Sequence, residues 1–505
     1  MTVSASVVAG FLAWADATPA QPCIHFEGRT LTYNDVRITA VHWAAAFAAW
    51  GITPGERVAL FLDNCPDFLA AYLGISLAGG VVVLVNTQYR QVELRHILAD
   101  SGTRLCITDA AHHAELDRVR ADLPDLTGIV IAEEANAFLA AGDPAFTPRL
   151  PAGDDLAVLG YTSGTTGRAK GAMILHRNLA ANSAAIREAW EWTANDHLLL
   201  TLPLFHTHGL MVGAHGTLTA GATMSLSRRF DAPAVFHALQ NDPVTLFFGV
   251  PTMFQMMLES PRFATTDFSS LRYFISGGAP CPVPLIEAYQ RRSLSFVQGY
   301  GLTEVGPNCF KLGLEDAVRK AGSIGFPALH SAARIVDADG NDVARGEIGE
   351  LCLRGGHVCS GYWRNEAATK AALCDNWFHT GDLARQDEEN YFYIAGRAKD
   401  MIISGGENIY PAEVEAVLHA HPAIANAALI GVPDAKWGEV PVAVVVLRHA
   451  ATPVEIIEFC AIRLARYKLP KQILFVEEFP FSASGKVLKQ TLKEYVDKAL
   501  LTASS

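Results

Sequence analysis

YTSGTTGRAKG, residues 161–171, packs three glycines, four Ser/Thr hydroxyls and two cations into eleven positions. It follows a short apolar run, LAVLGYTS, and leads into MILHRNLAANSAAI, whose apolar residues recur at helical spacing. Strand, glycine loop and helix is the order in which a backbone turns its N–H groups on a phosphate. It is not a Walker P-loop, which needs Gly, four residues and then Gly-Lys-Ser/Thr. Here only two residues separate Gly164 from Gly167, and Lys170 precedes Gly171. The hydroxyls of Thr162, Ser163, Thr165 and Thr166 add donors, and Lys170 adds a point charge. Taken alone, a Gly/Ser/Thr loop is an ordinary turn.

The chain outward from this loop repeats the same alternation. RVALFLDN, GVVVLVN and RLCITD read as strands, and Ala40–Trp50 and Gln91–Leu98 as helices. The segment 196–255 does likewise, through HLLLTLPLF, ATMSLS and TLFFGVP. Such alternation predicts α/β layers with largely parallel strands. Around 345–400 the texture changes to short alternating strands, GEIGELCLRG and YFYIAGR, which predicts an antiparallel β subdomain. Beyond Asp400 a compact tail has two helices and two strands. A boundary therefore falls near 396–400. The uncharged run Phe68–Val85 has eighteen residues, close to the ~17–25 of a membrane span. Gly79-Gly80 divides it into an apolar helix and a β-branched strand, and no cationic flanks anchor it.

Half of the 505 residues are hydrophobic and 18% are charged, which suits a large buried core in roughly three domains. The net charge of −12 argues against nucleic acid as a partner. Nine scattered cysteines without a CxxC pair read as reduced thiols of a cytoplasmic protein. MTVSASVVAGFLAWADATPAQ lacks the basic segment of a signal peptide.

Three further stretches carry chemistry. FVQGYGLTEVG, residues 296–306, brackets Tyr300 with glycines and sets Thr303 beside Glu304. An aromatic ring with close backbone suits a purine, and a carboxylate beside a hydroxyl suits Mg²⁺. The plain alternative is Glu304 in the first turn of a helix. In residues 377–415, Asp382 and Arg397 sit in what read as two turns, an acidic group for ribose and a cation for ribose or phosphate. FPFSASGKVLK, residues 479–489, puts Lys486 in a glycine turn, ordinarily a solvated position.

Together with HTGD, these elements in this order resemble the AMP-forming acyl-CoA synthetases, the superfamily shared with luciferases and nonribosomal adenylation domains. The likeness runs from about Thr32 to about Leu492. It implies an α/β fold with a large N-terminal domain of mixed sheets flanked by helices plus a β subdomain, residues 1–396. A hinge at 397–400, centred on Lys399, and a small mobile α+β C-terminal domain, 401–505, would follow. It implies ATP, Mg²⁺ and CoA, a small carboxylic acid as partner, and no transmembrane span, leaving peripheral membrane contact open. Thr162, Ser163, Gly164, Thr165, Thr166, Gly167 and Lys170 would cradle the ATP phosphates. Thr165 and Glu304 would hold Mg²⁺. Gly277, Gly278, Ala279 and Pro280, with Gln298, Gly299, Tyr300, Gly301, Leu302 and Thr303, would line the adenine and acyl-adenylate site. Asp382 and Arg397 would bind ribose. Lys486 would approach the reacting carboxylate, and His206 would gate or line the acyl site. Ser404, Gly405 and Gly406 would form the pantetheine channel.

The texture of LRYFISGGAPCP, VQGYGLTE and ARYKLPK resembles fatty-acyl and phenylpropenoate-CoA ligases. WEWTANDHLLLTLPLFHTHGL resembles malonyl-CoA synthetases. Those enzymes hold the distal carboxylate with an arginine where this chain has Gly299, so malonate is disfavoured. The apolar candidates Gly249, Val250 and Met253 agree with an uncharged acyl group. The expectation is a medium- or long-chain fatty acid, with an aryl or phenylpropenoic acid second. A stand-alone module loading a carrier protein is the alternative of another class, ahead of a luciferase-like oxygenase.

Overall fold

The computed structural model describes residues 6–163, 168–329, 331–482 and 487–503. Two largely parallel sheets form the larger part. One has six strands in the order Gly128–Ile131, Leu105–Thr108, Arg57–Phe61, Val81–Leu84, Leu156–Ser163 and Ala169–Leu175. Only its last pair is antiparallel. The other has seven, in the order Phe296–Gln298, Tyr273–Ser276, Leu246–Gly249, His197–Leu200, Thr223–Leu226, Pro22–Phe26 and Arg29–Thr32. Continuous β-branched and aromatic runs such as VVVL and LFFG are buried at every position, as strands covered on both faces must be.

The eighteen-residue apolar run divides as expected. Pro66–Leu77 is a helix buried from Phe68 onward, and Val81–Leu84 is a central strand. Among the described residues no helix is long and apolar enough to cross a membrane. An antiparallel sheet follows, with Ser331–Val336, Gly349–Gly355, Trp377–Gln386 and Leu373–Cys374 in order and Phe392–Arg397 paired on Trp377–Gln386. Its inward residues Ile335, Leu351, Leu353, Phe378 and Phe392 join the same apolar core as the parallel sheets.

The smaller C-terminal part has its own core. Five strands, Glu407–Ile409, Ile402–Ser404, Gly438–Leu447, Ile424–Asp434 and Gln472–Phe475, form one sheet. One face packs on Val414 and Leu418 of helix Pro411–His419 and on Ile456 and Cys460 of helix Pro453–Ala461. The other packs on Leu492 and Val496 of helix Lys489–Ala503.

Candidate active site

The two flanks of the glycine loop pair with each other as antiparallel strands, which corrects the strand–loop–helix reading. Leu156–Ser163 pairs with Ala169–Leu175, Thr162 opposite Lys170, and the helix begins only at His176. Gly164, Thr165, Thr166 and Gly167 lie outside the described residues, as does the side chain of Ser163. The base of the hairpin is tied to the second motif. Thr162 Oγ1 donates to Glu304 Oε1 at 2.8 Å, and the Tyr362 hydroxyl donates to the same oxygen at 3.1 Å. Lys170 Nζ sits 5.4 Å from the centre of the Tyr362 ring. Burial, then the Glu304 charge, holds the Tyr362 phenol protonated. Glu304 lies in a turn rather than at a helix N-terminus, and it is 8% exposed. No hydrogen bond is made to its other carboxylate oxygen among the described residues, and a carboxylate oxygen is the ligand type a hard cation takes. Tyr362 carries no motif signal in the sequence; only the fold brings SGYW to the hairpin.

Asp382 and Arg397 stand on neighbouring strands, not in turns. Along Trp377–Gln386 the inward positions are Phe378, Thr380, Asp382 and Ala384, so period-2 alternation buries a carboxylate. A buried charge needs partners. Arg397, directly opposite in register, brings Nε to 2.6 Å from Oδ1, and the Tyr300 hydroxyl donates to Oδ2 at 2.7 Å. Burial, then the Asp382 charge, pushes the Tyr300 phenol well above its ordinary range. The strand is locked from behind. Glu350 accepts from the Gly381 N–H at 2.9 Å and from His379 Nδ1 at 2.8 Å, and the Thr380 hydroxyl donates to the Leu351 carbonyl at 2.7 Å.

A third group gathers where the parallel strands end, the usual place for a ligand in such sheets. Gly249, Gly277 and Gly299 are at or just beyond the carboxyl ends of three adjacent strands. The Gly277 N–H donates to the Gly249 carbonyl at 3.1 Å, and the Gly299 N–H to the Ser276 carbonyl at 2.8 Å. A Cβ on Gly277 would stand 2.6 Å from His208 Cε1, and one on Gly299 would overlap Asn308 Oδ1. Trp192 and His208 both stack on Phe248, at 5.5 and 6.4 Å between ring centres, and Trp190 meets it edge-on at 5.6 Å. A cavity of about 10 Å³ remains, lined by Leu202, Pro203, His206, His208, Gly209, Val250 and Gly278. The motifs assign no acyl-site role to His208, Trp190, Phe248 or Asn308.

The remaining candidates lie as follows. Gln298 is buried and its Oε1 accepts from the Cys281 N–H at 2.7 Å, which fixes the Gly277–Pro280 loop; Ala279 lies within it. Thr303 Oγ1 lies 3.3 Å from Thr207 Oγ1, and Gly301 is pressed against Pro307, where a side chain has no room. Leu302 packs on the main core. His206 Nδ1 accepts from the His208 N–H at 3.3 Å. Met253 packs on the core from helix Pro251–Glu259 but does not line the cavity. Lys399 is in the turn Ala398–Asp400, directly after Arg397. Ser404, Gly405 and Gly406 belong to the C-terminal hairpin, where the Gly405 N–H donates to the Trp437 carbonyl at 2.7 Å. Lys486 lies outside the described residues.

All nine cysteines are free thiols, and only Cys374 is exposed. Burial pushes the thiols of Cys65, Cys281, Cys352 and Cys359 up to about 12. None of these four is a thiolate near neutrality, so none is poised as a nucleophile.

Residues 11–363 match the family described as AMP-binding enzyme, and 413–486 match the AMP-binding enzyme C-terminal domain. The chain is 40% identical to a feruloyl-CoA synthase of Amycolatopsis sp, covering 94% of this chain and 96% of that one. It is 38% identical to a long-chain-fatty-acid–CoA ligase of Mycobacterium tuberculosis, over 92% and 93% of the two chains. Among solved structures it is similar to ATP-bound MatB from Rhodopseudomonas palustris. The TM-score is 0.91 at 33% identity, over 97% of this chain and 98% of that one.

Proposed function

The chain belongs to the AMP-binding enzyme family, an acid–thiol ligase that joins a carboxylic acid to CoA through an acyl adenylate made from ATP, and we propose that its acid is an aryl or phenylpropenoic acid. The observation that carries this reading is the ring stack of Trp192, Phe248 and His208, with Trp190 edge-on, beside Gly277 and Gly299. An aromatic wall favours an acyl group that brings a ring of its own, offset or edge-on. Gly299 offers no cation to a second carboxylate, which speaks against malonate. A medium- or long-chain fatty acid is the second reading, favoured by Leu202, Pro203 and Val250 in the cavity wall.

The residues divide the work as follows in this proposal. A carboxylate is a poor acyl donor because its leaving group is oxide. Attack on the α-phosphate of ATP exchanges that leaving group for AMP and expels pyrophosphate. The hairpin tip, Thr162 to Lys170, grips the departing pyrophosphate. Asp382 and Arg397 hold the ribose, and Tyr300 lies against the purine. Charge builds on the phosphoryl oxygens, and Lys486 meets it from the C-terminal part. Glu304, with Thr165, would hold Mg²⁺, which when bound neutralises phosphate charge. Thiolysis needs a different arrangement, with Lys486 withdrawn and Ser404–Gly406 brought in to line the thiol's path. Lys399, in the turn between residues 1–396 and 401–505, is the pivot. The attacking thiolate is that of CoA.

The test is a pyrophosphate-release assay over acetate, octanoate, palmitate, malonate, benzoate, cinnamate and ferulate. Cinnamate and ferulate should have the highest kcat/KM. A best rate with palmitate would move the assignment to the second reading, and a best rate with malonate would overturn the role of Gly299.

A further inference from the structure

We propose that the side-chain amide of Asn308 donates a hydrogen bond to an acceptor oxygen on the acyl group, remote from its reacting carboxylate. The site would then select acids bearing a distal hydroxyl, ether or carbonyl oxygen. The inference rests on the reading of the glycine-ended strands as the acyl site.

Asn308 is 2% exposed, yet its Nδ2 is buried without a hydrogen-bond partner among the described residues. An unmet buried donor ordinarily costs about 1–3 kcal/mol, so it calls for a partner that arrives later. The residue cannot easily turn the amide to solvent. The Cys309 N–H donates to the Tyr300 carbonyl at 2.9 Å, the Cys309 carbonyl accepts from Ala328 at 2.8 Å, and Gly301 is pressed against the Asn308 backbone. The amide therefore stays over Gly299, where its oxygen fills the space of the absent side chain and Trp190 Cη2 would be 3.7 Å from that missing Cβ. A half-turn of the amide exchanges its two ends and presents the donor there instead. Trp190 Nε1 is also buried and without a partner among the described residues. The Asn308 group is a donor, so the partner it lacks is an acceptor.

A rival occupant is a water shared with Asn182. That amide lies beneath Gly306, donates to the Met211 carbonyl at 3.1 Å and has a buried oxygen with no partner among the described residues. A shared water would tie the loop together and leave substrate choice alone.

Matched pairs of acids separate the two. kcat/KM is measured for 4-methoxycinnamate against cinnamate, and for 8-methoxyoctanoate against octanoate, pairs whose added oxygen can only accept, in the wild type, Asn308→Leu and the near-isosteric Asn308→Asp. The wild type should favour the oxygenated member of at least one pair by about tenfold, the worth of one well-made hydrogen bond. Both variants should lose that ratio. The ratio is insensitive to a variant's folded fraction, and Asn308→Asp keeps the shape should Asn308→Leu fold poorly. Equal rates within both wild-type pairs, or a ratio retained in the variants, would overturn the proposal. If octanoates outrun cinnamates while the ratio still vanishes in the variants, the aryl reading fails and the role of Asn308 stands.

Discussion

Asp382 is the residue on which most of the site's charge balance turns. It is a buried carboxylate held by one guanidinium and one phenol, with Arg397 about two-fifths exposed on the open side. These two partners fix the Asp382 carboxylate in one orientation. Asp382→Asn keeps the shape and removes the charge. Charged hydrogen bonds are worth roughly 1.5–3 kcal/mol, so the KM for ATP should rise about 10- to 100-fold, with a smaller change for the acid. Initial rates against ATP check this, and an unmoved KM would separate Asp382 from the ribose. The sequence named Asp382, Arg397, Tyr300 and Glu304 through motif resemblance. It could not show Tyr362, which bears on the site only because a distant loop returns to it, or Asn308, whose amide is brought over Gly299 by the turn that follows the motif.

At the scale of elements, the legible part was what periodicity encodes. The split of Phe68–Val85 into helix and strand, the parallel strands and the antiparallel segment near 345–400 all follow from local pattern. The hairpin did not. AKG reads as loop and MIL as the start of the helical pattern, whereas Ala169–Leu175 pairs back on Leu156–Ser163, a contact that period alone cannot reveal. Asp382 and Arg397 were placed in turns for the same reason: Gly381 and Gly396 resemble turn signals but lie within paired strands. The strand ends make a prediction of their own. Gly277→Val drives a methyl group into His208, and overpacking costs about 1–3 kcal/mol. kcat/KM should fall about 5- to 100-fold, least for acetate and most for cinnamate, in the pyrophosphate-release assay. A uniform loss across acids would place the damage in the fold rather than the pocket.

The whole molecule carries a pH dependence written in its buried histidines. Burial lowers His176, His197 and His357 to about 4 and His215 to about 3. His215 packs against Tyr72, and neither of its ring nitrogens has a hydrogen-bond partner among the described residues. The folded form thus stays neutral at pH values where the unfolded chain, near 6.5, already takes up protons. Stability should be level above about pH 6.5 and fall as pH drops toward 4, by up to about 1.4 kcal/mol per pH unit for each such histidine. Urea unfolding at pH 7.5 and 5.0 measures the fall, and His215→Leu should shrink it. An unchanged slope in that variant would remove His215 from the balance.

The burial of the thiols has a consequence for the enzyme's endurance. An acyl adenylate is an electrophile towards any thiolate within reach, the protein's own included. An enzyme that makes such a species thousands of times would slowly acylate itself if its cysteines were ionised at the surface. Seven of the nine are buried, several of them held protonated, so an adenylate formed by this chain would meet few thiolates of its own.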